Sequence, residues 1–152
     1  MREIYEISDR FIPDADANAL LYEPLDGGLR FRRTRRYGLF GSGETGAMER
    51  FVRTTLFDEI SQDLHVGETP ALSGAAFILE YGMKPSALDL EKEAIVRHYR
   101  GLIDPGFNLE DLVIRQRIYL FGAAEAKAPV ERFVRDICNP AVHHWQVISA
   151  HV

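Results

Sequence analysis

Five of the seven residues in Arg30-Phe-Arg-Arg-Thr-Arg-Arg36 are arginines, the densest concentration of charge in the chain. Guanidinium groups grip carboxylates and phosphates bidentately, so such a run is suited to docking an acidic partner or an anion. Directly after it, Gly41, Gly43 and Gly46 form a literal G-x-G-x-x-G, the pattern that lets a strand-to-helix turn press its amides against a pyrophosphate. Cys138 could supply a thiolate, and His143-His144 could supply metal ligands. Adjacent residues on a strand point to opposite faces, however, so the two histidines do not readily chelate one ion. Cys138 sits beside an apolar helical stripe, the setting of a structural thiol. The remaining His and acidic residues form no convergent acid, base or nucleophile set, so neither an active site of the chain's own nor a metal or cofactor site is expected.

The glycine pattern has an internal control, because the chain repeats itself. Arg36-Tyr-Gly-Leu-Phe-Gly41 matches Arg117-Ile-Tyr-Leu-Phe-Gly122, Glu44 falls on Glu125, and after one inserted residue Glu49-Arg-Phe-Val-Arg53 falls on Glu131-Arg-Phe-Val-Arg135. The second copy, Gly122-Ala-Ala-Glu-Ala-Lys127, keeps the first glycine and lacks the other two. A tight connection into a helix explains the position without phosphate. Asp63 or Glu68 as ribose partner would sit in or after the closing strand, no third βαβ strand follows, and the chain is too short for a paired mononucleotide fold.

Elements follow from periodicity. In the second copy Phe77 to Tyr81 is a strand, and Ser86-Ala-Leu-Asp89 offers capping oxygens before a helix in which Ile95, Val96, Tyr99 and Leu102 recur at helical spacing, with Gly101 near its end. Leu112 to Phe121 alternates, with Leu112, Ile114, Ile118 and Leu120 on one face and Arg115, Arg117 and Tyr119 on the other. Pro129 suits a first helical turn; Val130, Phe133, Val134 and Ile137 form the stripe that Asn139-Pro140 ends, and Trp145 to Ile148 is a last strand. The first copy has the same β-α-β-α-β order, with Ala17, Leu20 and Leu21 in its first helix, Met48, Phe51, Val52 and Leu56 in its second, and a closing strand at Leu64 to Val66. The expected fold is α+β: a two-layer sandwich of residues 1–67 and 75–152, joined by a linker at 68–74 and paired about a pseudo-twofold axis as one domain.

The chain has 152 residues, 46% hydrophobic and 27% charged, with a net charge of -5. That is an ordinary globular composition, and it argues against nucleic acid as partner even though Arg36-Tyr-Gly-Leu-Phe40 echoes an RNA-recognition strand. One cysteine excludes an intramolecular disulfide, and no apolar run reaches the length of a signal peptide core or membrane span, so a cytoplasmic location without membrane contact is expected.

Lys84-Pro-Ser-Ala-Leu-Asp89 after a strand, the Arg115/Arg117 strand, and Asn139-Pro-Ala-Val-His-His-Trp-Gln-Val147 occur in an order that resembles PurS, the small subunit of phosphoribosylformylglycinamidine (FGAM) synthase. Ser86, Leu90 and Gln116 depart from that family's usual glycine, proline and glycine. As a tandem pair the chain also resembles the N-terminal PurS-like region of the large synthase. The resemblance implies a non-catalytic accessory subunit of an ATP- and glutamine-dependent ligase in purine biosynthesis, bridging synthetase and glutaminase subunits during ammonia delivery; the sequence leaves open whether the tandem chain is one pseudo-dimeric monomer or pairs again as a homodimer. Arg33, Arg35, Arg36, Lys84, Arg115 and Arg117 are then the expected interface residues. The alternative is a small regulatory module that senses a nucleotide or amino acid at the glycine turn or the arginine strand.

Overall fold

The computed structural model describes residues 1–25, 27–122 and 130–149. In chain order these form β1 (Arg2–Asp9), β2 (Ala15–Asp16), a 3-10 turn (Ala17–Leu20), β3 (Arg30–Gly43), α1 (Ala47–Thr55), β4 (Gln62–Val66), β5 (Phe77–Met83), α2 (Leu90–Arg100), β6 (Phe107–Phe121), α3 (Val130–Ile137) and β7 (His143–Ser149). The fold is mixed α+β. Its seven-stranded sheet has the order β4-β1-β3-β6-β5-β7, with β2 paired to β3 off this path. The first-turn role expected of Pro129 lies outside the described residues.

One expected helix is reduced to the single 3-10 turn. Asp16 caps it by accepting from the Asn18 amide at 2.9 Å, and the Asn18 side chain then bonds both the amide (2.8 Å) and the carbonyl (3.2 Å) of Leu25. Side chains that close a loop on their own backbone compete with helix propagation, and Pro24 blocks continuation. The other described helices and strands contain the segments expected from periodicity, and Asp89 caps α2 by accepting from the Lys92 amide at 3.0 Å.

Two compact units divide the chain, and they cut across the sequence repeats. The first comprises Met1–Phe11, Arg35–Ala71 and Leu88–Ile114. Tyr5 and Ile7 of β1, Tyr37 and Leu39 of β3, and Leu112 and Ile114 of β6 present one face to Met48, Phe51 and Val52 of α1 and Ile95 of α2. Each large side chain so buried contributes about 1.5–3 kcal/mol. Phe51 meets Tyr99 and Phe107 edge-on, at centroid distances of 6.0 and 5.7 Å. The Tyr99 hydroxyl donates to the Phe107 carbonyl (2.7 Å) and accepts from the Leu109 amide (3.0 Å), tying α2 to β6. β4 runs antiparallel to β1, with Glu6 opposite His65.

The second unit comprises Ile12–Thr34, Leu72–Ala87 and Arg115–Val152. Here β5 pairs antiparallel with both β6 and β7. Phe77, Leu79, Ile118 and Leu120 meet Phe133 of α3, together with Ala17 and Leu29. Alternation turns Ile78 and Tyr119 to the opposite face, where Ala75 and Leu72 of the connecting segment cover them. α3 is fastened to the segment after the 3-10 turn, because Asp136 accepts from the Tyr22 amide at 3.0 Å.

Candidate functional site

The arginine run lies on β3 and is divided between the two units. Within the second, exposed Arg33 lies over the Phe31 ring, its guanidinium carbon 5.5 Å from the centroid. Within the first, Arg35 donates to Glu91 of α2 at 3.0 Å, and the Tyr37 hydroxyl donates to the same carboxylate oxygen at 2.9 Å. Burial, and then the Glu91 charge, push the Tyr37 phenol up to about 12. Arg36 is half-buried, and its Nε finds no hydrogen-bond partner among the described residues.

The remaining expected interface residues belong to the second unit, and they do not share one environment. Lys84 donates to the Pro140 carbonyl at 2.6 Å, which closes the chain reversal before β7. Arg115 is half-buried. Arg117 is only 4% exposed, and its Nε donates to Glu80 at 2.7 Å while Gln146 donates to the other Glu80 oxygen at 2.9 Å. A guanidinium enclosed in this way is a structural ion pair, out of reach of a docking partner in this conformation. Glu80 was not singled out from the sequence, although an acid inside the apolar run Phe77-Ile-Leu-Glu-Tyr81, on the same face as a strand arginine, is the signal that finds it. In the first unit Glu6 of β1 is likewise enclosed, 1% exposed, and accepts from the Ala71 amide at 3.2 Å.

The glycine turn has a steric cause within the first unit. A Cβ on Gly41 would lie 1.9 Å from the Asn108 carbonyl oxygen, and one on Gly43 would lie 2.5 Å from that of Gly106. Gly46, at φ +82°, occupies the left-handed region immediately before α1. The Glu44 amide donates to the Gly106 carbonyl at 2.8 Å. Backbone therefore occupies the space that the first two glycines leave open, where a dinucleotide fingerprint would admit a phosphate.

Beside α3 runs an apolar groove of about 450 Å³, lined by Val130, Val134, Cys138, Pro140, Trp145 and Val147, with Glu131 and Arg135 at its rim. Cys138 is buried and free, and burial pushes its thiol up to about 11, away from a reactive thiolate. The histidines diverge: the His143 ring stacks edge-on against Tyr81 at 5.2 Å and accepts from the Asn139 amide, while His144 is held below the usual imidazole range by burial and then by Arg115. Among the described residues no three His, Cys, Asp or Glu side chains gather as a metal site, and no helix is long and apolar enough to cross a membrane. The arrangement can bind surfaces, through a divided row of guanidiniums and an apolar groove. Comparison of the chain with protein-family models, curated proteins and solved structures gives no match.

Proposed function

We propose that this chain is a non-catalytic bridging subunit of FGAM synthase, built from two tandem PurS-like repeats related by a pseudo-twofold axis. One observation carries the internal symmetry: the sheet order β4-β1-β3-β6-β5-β7 has the same sense read from either edge, with each repeat supplying one half. The register supports it, since Glu6 stands opposite His65 as Glu80 stands opposite Gln146. The assignment to purine biosynthesis rests on the ordered motifs from Lys84 to Val147. A bridging role is supported by the chemistry at hand, which offers exposed guanidiniums on β3 and an apolar groove beside α3.

The test is co-purification of the chain with the synthetase and glutaminase proteins of its host, followed by glutamine-dependent amidine formation with and without it. Activity should require the chain, and the double variant Arg33→Ala/Arg35→Ala should weaken assembly in a salt-sensitive manner while leaving folding nearly intact. Equal activity without the chain overturns the reading, and tight calorimetric binding of ATP or ADP would turn it toward the regulatory alternative.

A further inference from the structure

β7 is the last strand in the sheet order, and its outer edge pairs with no other strand among the described residues. An open edge is a template for another chain, and soluble proteins guard such edges with charge, proline or a bulge. β7 reads His143-His-Trp-Gln-Val-Ile-Ser149, without a single Asp, Glu, Lys, Arg, Pro or Gly. Its environment also holds His144 toward the neutral form. The other edge, β4, carries Asp63, which is paired with Arg10 at 3.0 Å. On β7 itself Trp145 is 41% and Val147 44% exposed, and both open into the groove beside α3.

We infer that the β7 edge and the α3 groove form a self-association surface whose occupant is a second copy of this chain. The pattern of the surface is what a twofold axis requires. Antiparallel pairing of two β7 strands centred on Gln146 sets Trp145 opposite Val147 of the second copy, and Val147 opposite its Trp145. On that face an apolar pair is made twice, and no charge is buried. The proposal extends the same symmetry to the groove rim. Glu131 and Arg135 lie one turn apart on the exposed side of α3, to either side of buried Phe133. When α3 meets an antiparallel copy of itself, each Glu131 faces an Arg135. An interface in which residue i meets j and j meets i is isologous, and it closes at two subunits. A heterologous partner would place no such demand on one strand and one helix together. This surface stands apart from the proposed bridging role, since its test involves neither the synthetase nor the glutaminase.

The test uses the whole chain, with light scattering and the emission of Trp145, the only tryptophan, measured against concentration. A dimer is expected at micromolar concentration, with emission shifting to the blue as it forms. Val147→Lys places a charge in both cross-strand pairs and should raise the dissociation constant by about 100-fold. Glu131→Arg and Arg135→Glu, both on exposed helix surface and the second also losing the 2.9 Å donation to Asp136, should weaken their own homodimers by about tenfold. Mixing these two single variants should restore dimers, because every like-charge contact is then removed. A chain that stays monomeric with unchanged emission, a dimer indifferent to Val147→Lys, or a mixture no tighter than its components would overturn the proposal.

Discussion

Glu80 and Arg117 illustrate how a charge can hold a sheet while adding little to a surface. Both side chains are about 5% exposed, and Gln146 satisfies the second carboxylate oxygen. Removing one member leaves the other desolvated without compensation, so Glu80→Gln or Arg117→Met should each cost about 3–5 kcal/mol of unfolding free energy. The apolar double replacement Glu80→Leu/Arg117→Met should recover most of that loss, and urea denaturation of the three variants checks both statements. Gly41→Ala tests the steric cause of the glycine turn: a methyl meeting the Asn108 carbonyl should destabilise by about 3 kcal/mol, with no ligand present. His144 and Asp136 both contribute to the acid limb of stability, alongside Asp58, which the Ser61 hydroxyl holds below the usual carboxylate range. Folding lowers His144 from the unfolded value of about 6.5, so its contribution is complete above that pH and is lost as pH falls through 6.5 toward the folded value. Asp136 is also lowered, by Arg135 and then by the Tyr22 amide, so its contribution persists above about pH 4 and is lost only as pH falls through its folded value. Melting temperature against pH should fall in two steps, with His144→Asn flattening the first and Asp136→Asn the second.

At the scale of elements, helices and strands with one apolar face were legible in the sequence. α2 begins after Asp89 and ends at Gly101, α3 ends before Asn139-Pro140, and Asp89→Ala should cost about 1 kcal/mol through loss of the cap on the Lys92 amide, measurable by thermal melting. β6 keeps the predicted alternation, with Leu112, Ile114, Ile118 and Leu120 on its core side. The first helix of the first copy was not legible, because Asn18 bonds Leu25 on both sides and period counting is blind to side chains that substitute for backbone partners. Nor did spacing alone reveal that Arg117 is enclosed. That depends on Glu80 lying directly opposite it in the β5–β6 register, a pairing that forms only when two distant strands align. The groove beside α3 was missed for a related reason: its wall and floor come from separate elements, and the only trace in the sequence is the uncharged run from His143 to Ser149.

For the whole molecule, the notable result is that the compact units do not coincide with the repeats. The first unit takes β1, α1 and β4 from one repeat and α2 from the other, while β3 and β6 each contribute to both units. Separately expressed fragments 1–74 and 75–152 should therefore remain largely unfolded alone and regain structure on mixing, as circular dichroism would report; cooperative melting of either fragment by itself would contradict this. The sharing of β3 and β6 also governs how the protein is made. While the ribosome is still adding residues beyond the first repeat, Tyr37, Leu39, Phe51 and Val52 have emerged without the partners from β6 and α2 that will bury them. A nascent chain in that condition needs shelter from its neighbours, so a slow codon or a stalled ribosome midway along the message would endanger the product more than the same pause near its end.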